Sequence, residues 1–175
     1  AERVGYPSIV GTGINATTLH YDKSRSQLQA GELVVMDMGA EYGFYSADVT
    51  RTIPASGKFS PRQLSIYNLV LATQQAAMDS IRPGITMGRL GQISREYMKA
   101  HSGDLCAPGT CDQYYIHGLG HWIGMDVHDV GNYATPLAPG MVLTVEPGIY
   151  IPAEKLGVRI EDDVVVTATG YELLS

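Results

Sequence analysis

Residues 30–53 read Ala30-Gly31-Glu32-Leu33-Val34-Val35-Met36-Asp37-Met38-Gly39-Ala40-Glu41-Tyr42-Gly43-Phe44-Tyr45-Ser46-Ala47-Asp48-Val49-Thr50-Arg51-Thr52-Ile53. The apolar run at 32–38 predicts a buried strand. Residues 43–53, rich in aromatic and β-branched side chains, predict its hairpin partner. One carboxylate, Asp37, ends the first strand, and a second, Asp48, lies on the return.

The pattern recurs. In the first half, Asp37 follows Ala30-Gly31 by six residues and precedes Gly39; in the second, Glu146 follows Pro139-Gly140 by six and precedes Gly148. The second strand also turns back into one with a carboxylate, Glu161. Positions 37 and 48 are symmetric about the Tyr42/Gly43 junction, and 146 and 161 about the middle of Pro152-Ala153-Glu154-Lys155. Unbulged hairpins would then set each acid pair directly cross-strand, with Cβ atoms roughly 5 Å apart. Two such charges repel by roughly 3 kcal/mol at an effective dielectric near 20. A shared proton could relieve one pair, or cations could relieve both. Two hairpins that each offer two carboxylates suit a pair of divalent ions, because a carboxylate can bridge them.

Outward from these hairpins the chain is simple. Ser60, Pro61 and Gln63 announce a capped helix that Arg82-Pro83-Gly84 ends, with Leu64, Tyr67, Leu71 and Met78 as its apolar stripe. A second helix is expected at 87–99, with Leu90, Ile93 and Tyr97 on one face. Further strands are expected near 113–118, 121–128, 141–151 and 157–167. Strands, then helices, then strands predict an α+β fold with mostly antiparallel pairing and no internal linker.

Between the halves, residues 117–131 hold His117, His121 and His128, three of the five histidines of the chain. In an extended segment His121 and His128 would face opposite ways, and Gly118, Gly120 and Gly124 permit bends that change this. Imidazole added to carboxylates suits manganese, iron, cobalt or zinc better than calcium. Trp122 and Tyr45 are expected to pack in the core. Asp162 and Asp163 are expected to face other partners or solvent.

Composition narrows the function classes. With 45% hydrophobic and 17% charged residues, the 175-residue chain is globular. Its net charge of −6 argues against a nucleic-acid partner. No apolar run approaches the ~20 residues that span a bilayer, so no membrane role is expected. Cys106 and Cys111 flank a Gly/Pro loop; a small disulfide is open to them, but two free thiols are the favoured reading.

These residues resemble the pita-bread metallopeptidases, a family that includes methionine aminopeptidase, prolidase, creatinase and aminopeptidase P. The likeness runs from about Tyr6 to Leu174 and is best to the aminopeptidase P branch. It is carried by Ala47-Asp48-Val49-Thr50-Arg51-Thr52, by residues 117–131, by Thr144-Val145-Glu146-Pro147-Gly148 and by residues 157–163. The resemblance implies a pita-bread fold, with a pseudo-twofold antiparallel sheet and helices on its outer face. It also implies five metal ligands: Asp37 on one ion, Asp48 and Glu161 bridging, His121 and Glu146 on the other. His117 and His128 would contact substrate, His20 would line the pocket, Arg159 would support the bridging carboxylate, and Glu146 could relay a proton. The implied cofactor is two divalent ions, with manganese favoured. The implied reaction is release of the residue before a penultimate proline, through a metal-bridging hydroxide.

Alternatives are a prolidase acting on Xaa-Pro dipeptides, from which Arg51 leans away, and a non-catalytic peptide-binding module. Family members carry further residues before the segment that aligns with Tyr6, so the sequence reads as one catalytic domain over 1–175. An N-terminal domain and the first helix of the fold are expected to lie outside it. A cytoplasmic location and a homo-oligomer of the full-length protein are further expectations.

Overall fold

In the computed structural model, which describes residues 1–175, both carboxylate segments form long hairpins. The first pairs β3 (Leu33–Met38) with β6 (Val49–Pro54), Asp37 facing Thr50. Strands β4 (Ala40–Tyr42) and β5 (Tyr45–Ser46) continue the same register, Tyr42 facing Tyr45. The turn is therefore Gly43-Phe44, and both residues have positive φ, 57° and 70°. This is the two-residue connection that matches strand twist.

The axis thus lies one residue beyond the expected one. Asp48 faces Gly39 and lies diagonal to Asp37 on the same face of the hairpin. Diagonal placement widens the Cβ separation to about 7–8 Å, which eases the repulsion that direct opposition would impose. β2 (Ile9–Thr12) pairs with the other side of β3, and β1 (Arg3–Val4) with β4.

The second hairpin has the expected register. β7 (Val142–Val145) pairs with β10 (Asp162–Val166), and β8 (Gly148–Ile151) with β9 (Leu156–Arg159). Val145 faces Asp162 and Gly148 faces Arg159, so Glu146 and Glu161 are bracketed opposite each other. The turn is a 3-10 segment, Pro152–Glu154, closed by Lys155 at φ 50°. β11 (Tyr171–Leu173) completes that sheet against β10.

The hairpins meet along Thr50 and Thr52. Glu161 N–H donates to the Thr50 carbonyl at 3.1 Å. Thr52 Oγ1 donates to the Arg159 carbonyl at 2.8 Å and accepts from Arg159 N–H at 3.1 Å.

Helix α1 (Pro61–Met78) starts at the predicted capping box of Ser60 and Gln63. Its buried face matches the predicted stripe only in part: Met78 is buried and Tyr67 packs against the core, but Leu64 and Leu71 do not. Ile66, Leu69, Val70, Thr73, Gln74 and Ala77 are buried, and Leu64 and Leu71 are each 44% exposed. Apolar residues ring this helix, so hydrophobicity alone does not choose its face. Gln74 does: its amide donates to the Val145 carbonyl at 3.0 Å and to Asp162 Oδ2 at 2.9 Å. Helix α2 (Met87–Ala100) likewise buries Met87, Leu90, Ser94 and Met98, a face shifted from the expected one.

The helices cover one side of the strands, α1 packing on β7, β8 and β9. One apolar cluster joins Leu33, Ile66, Val70, Met98, Ile149 and Val158; a second joins Ala77, Leu90, Trp122, Leu143, Val145 and Val164. Trp122 is core, as expected, whereas Tyr45 is 64% exposed at the hairpin tip. No helix is long and apolar enough to cross a membrane.

Two predicted strands are absent. Cys111–Tyr114 is a 3-10 turn, and around His121 the only strand-like pairing is a bridge between Trp122 and Leu143. Gly120 lies so close to the Thr144 carbonyl that a side chain there would collide with it. Contrary to the free-thiol reading, Cys106 and Cys111 form a disulfide. Both are buried in the first apolar cluster.

Candidate metal centre

Asp37 is the penultimate residue of β3, Asp48 precedes β6, Glu146 lies between β7 and β8, and Glu161 lies between β9 and β10. Each sits at or beside a strand end, so the two hairpins present four acids to one place. The loop between the halves adds His121, held by its N–H donating to Thr144 Oγ1 at 3.0 Å. Ligand-capable atoms of Asp37, Asp48 and Glu161 lie within 4.8 Å of one another, as do those of His121, Glu146 and Glu161. A third such group joins Asp48, His121 and His128.

All nine nominated side chains line one cavity of about 330 Å³: the five above with His20, His117, His128 and Arg159. The bend at the glycines brings the His121 and His128 rings to 4.2 Å, on one side rather than opposite. His128 also lies 6.1 Å from His20. His117 Nε2 meets Tyr150 Oη at 2.9 Å.

Arg159 differs from its expected role. Its guanidinium donates to Asp37 Oδ2 at 2.6 Å, to Thr50 Oγ1 at 3.1 Å and to Tyr150 Oη at 3.1 Å. It thus supports Asp37, and it makes no bond to Asp48 or Glu161. Asp162 and Asp163 are both buried, not solvent-facing. Asp162 pairs with Arg51, and Asp163 Oδ2 accepts from the Asp48 N–H at 2.9 Å.

Several contacts were not anticipated. Tyr6 Oη reaches Asp37 Oδ1 and, at 2.5 Å, Asp48 Oδ1. One hydroxyl carries one proton, so it satisfies only one of two ionised carboxylates. Thr50 Oγ1 donates to Glu161 Oε2 at 2.6 Å. Tyr133 lines the cavity. Thr50 was findable, since alternation puts it on the same strand face as Asp48. Tyr6 carries no local signal, because its partners are distant in sequence.

Electrostatics favour a bound cation. Burial, then Glu146 and Asp48, push the Glu161 carboxyl well above the usual range. Burial raises Glu146 to about 7. Burial also raises Asp37, against the pull of Arg159. At Asp48 burial is outweighed by hydrogen bonds from His121 and Tyr6, and its carboxyl falls below the usual range. His117 is lowered to about 4 by burial and by Arg159.

Glu161 Oε1 is buried with no hydrogen-bond partner. A buried carboxylate oxygen without a partner is costly unless a cation takes it. His121 Nδ1 lies 3.0 Å from the Trp122 carbonyl. That contact assigns the proton to Nδ1 and leaves Nε2 free to ligate. The donor set, four carboxylates and one imidazole, fits divalent metal ions.

The profile of metallopeptidase family M24 matches residues 1–168. The chain is 39% identical to an Xaa-Pro aminopeptidase of Escherichia coli, over 97% of this chain and 44% of that protein. It is 40% identical to an Xaa-Pro dipeptidase of Pyrococcus furiosus, over 100% of this chain and 49% of that protein. Among solved structures, proline aminopeptidase P II from Yersinia pestis superimposes with a TM-score of 0.89 at 40% identity, covering 99% of this chain and 45% of that one. The chain thus spans less than half the length of these relatives, and its architecture is the pita-bread fold.

Proposed function

The chain belongs to metallopeptidase family M24, and from that premise we propose that it is the catalytic region of a dinuclear-metal exopeptidase. It would release the first residue of peptides whose second residue is proline. The observation that carries this reading is the convergence of Asp37, Asp48, Glu146, Glu161 and His121 on one cavity. When bound, divalent ions supply the Lewis acidity that makes water a nucleophile at neutral pH and polarises a carbonyl.

Asp37, Asp48, His121, Glu146 and Glu161 would hold two ions, Asp48 and Glu161 being shared. An oxygen-rich set with one imidazole favours manganese. Arg159 would keep Asp37 ionised and oriented, and Thr50 would orient Glu161. His117, held between the Gly118 carbonyl and the Tyr150 hydroxyl, lines the cavity and would contact the bound peptide. His20 and His128 at the cavity mouth would flank the proline ring. Glu146, which lines the same cavity, would also relay a proton toward the leaving nitrogen.

A prolidase is the second reading, supported by the 40% identity to the Pyrococcus dipeptidase against 39% to the Escherichia coli aminopeptidase. The deciding experiment compares an Xaa-Pro-Xaa tripeptide with an Xaa-Pro dipeptide, with manganese and with chelator. Metal-dependent release from the tripeptide is the expected result. Cleavage of the dipeptide alone would make the chain a prolidase. Metal-independent behaviour, with no metal retained on purification, would leave a peptide-binding module.

A further inference from the structure

The metal centre opens on a second cavity, of about 270 Å³, which shares His20, Asp37, Asp48 and His128 with the first. Its other walls differ in kind. Tyr6, Pro7, Ile9 and Val127 make them largely apolar, and Asp22 adds one carboxylate. Asp22 is exposed and belongs to none of the ion pairs of the chain. Lys23 and Arg25, its basic neighbours in sequence, line neither cavity.

The segment that carries Asp22 is pinned on both sides. Ser24 Oγ accepts from the Val10 N–H at 3.1 Å and donates to the Ser8 carbonyl at 3.0 Å. Ser26 Oγ takes Asn15 Nδ2 at 2.7 Å and Tyr21 Oη at 3.0 Å. The segment that carries Asp22 is therefore held at the cavity by β2 and the 3-10 turn that follows it.

The two cavities divide an Xaa-Pro substrate in a definite way. The scissile carbonyl must lie where all five donors converge, which is the first cavity. The free α-amine, a cation, is drawn to Asp37 and Asp48, which both cavities share. Only one residue precedes the scissile bond, and its side chain leaves from the Asp37/Asp48 side, into the second cavity. The proline then lies in the first cavity between His20 and His128, and the rest of the peptide runs past His117 and Tyr133.

We propose that the second cavity receives the side chain of the first residue and that Asp22 selects a cationic one there, arginine or lysine. Such a side chain lays its methylene stem along Tyr6, Ile9 and Val127 and presents its charge to Asp22. The proposal rests on the exopeptidase reading above.

The test measures kcat/KM for Arg-Pro-Ala, Leu-Pro-Ala and Glu-Pro-Ala with the manganese-loaded chain and its Asp22→Asn variant. The expected preference for arginine over leucine is roughly fivefold, the scale of an exposed ion pair. It should fall to near unity in Asp22→Asn and shrink at about 0.5 M salt. A ratio that Asp22→Asn leaves unchanged would overturn the proposal. So would an Asp22-dependent charge preference that follows the third residue, read from Leu-Pro-Arg against Leu-Pro-Ala. If no Xaa-Pro peptide is cleaved, the exopeptidase reading fails, and calorimetry of Arg-Pro against Leu-Pro then decides the cavity. Tighter Arg-Pro binding that Asp22→Asn abolishes would retain the assignment, and equal binding would end it.

Discussion

Thr50 and Glu161 bond to each other twice: Glu161 N–H donates to the Thr50 carbonyl at 3.1 Å, and Thr50 Oγ1 donates to Glu161 Oε2 at 2.6 Å. One acid of the second hairpin is thereby fixed by the first hairpin, and its Oε1 is left without a partner. Thr50→Val keeps the shape and the backbone bond but removes the hydroxyl. It also deprives Arg159 Nε of its acceptor. Metal retention should weaken by about 10–100-fold, the usual effect of losing a group that orients a ligand. Chelator competition reads this directly. Unchanged metal retention, with only a lowered melting temperature, would reduce Thr50 to a packing residue.

Asp48→Ala and Glu161→Ala test the shared-ligand assignment. Each should cost activity by more than about a hundredfold, since groups one step removed already cost about 10–100-fold. Each should also lower the metal content measured by atomic absorption. The fold should survive: Glu161→Ala removes a carboxylate that burial and its acidic neighbours disfavour, and Asp48→Ala leaves Tyr6 its bond to Asp37; circular dichroism checks both. Near-normal turnover in either variant would rule out a dinuclear centre built on these residues.

The metal-free chain should grow less stable as pH rises from about 4.5 to about 7. Glu146 has a folded-state value of about 7, above the ordinary carboxylate range, so the folded state binds more protons than the unfolded state across that window. Unfolding free energy therefore falls with rising pH there, and for Glu146 it levels off above the window. Glu161 is raised too and acts with the same sign. His121 is raised by Asp48, Trp122 and Glu146 despite its burial, and it loses its contribution as pH climbs past its own raised value. Asp48 is lowered, so it opposes only at acid pH, where its contribution is lost. His117, lowered from 6.5 to about 4 by burial, opposes between those values, and the net fall with pH rests on Asp37 and Asp163 being raised alongside Glu146 and Glu161. Excess manganese should reverse the slope, because metal displaces protons from its ligands. Melting curves from pH 4.5 to 8 with chelator and with manganese measure both slopes. Parallel curves would show that the cluster does not couple to metal.

How much of this was legible in the sequence follows from the range over which each residue acts. The second hairpin register was readable because Pro152 and its neighbours mark the turn, and Val145 and Gly148 keep one frame on both sides of Glu146. In the first hairpin Tyr42-Gly43 and Gly43-Phe44 are alternative turns one residue apart, and the pattern does not choose between them. The facing of His121 and His128 depended on a loop bent at glycines, where strand alternation does not apply. The α1 face was set by Gln74, a polar residue whose partners lie in β7 and β10. Tyr6 reaches across 31 residues to Asp37 and 42 to Asp48. No local pattern encodes such a contact.

The disulfide gives the last prediction. Cys106 and Cys111 close a short loop between α2 and the 3-10 turn that leads to Tyr115 and His117. Closing a loop of this size stabilises by about 2 kcal/mol through the unfolded state. Both sulfurs are buried, and the Cys111 N–H donates to Ser102 Oγ at 2.8 Å. Tyr115 packs in the same cluster and touches the His117 ring edge-on at 5.2 Å. Cys106→Ser with Cys111→Ser should therefore lower stability by about 2 kcal/mol or more. Arg95 independently ties down the Tyr115 and His117 carbonyls, at 2.7 and 2.6 Å. His117 should thus stay in place, and kcat at low temperature should change little. Denaturant titration and a kcat measurement on the double variant separate the two effects. A large fall in kcat at full folding would mean that the bridge itself, and not Arg95, positions His117.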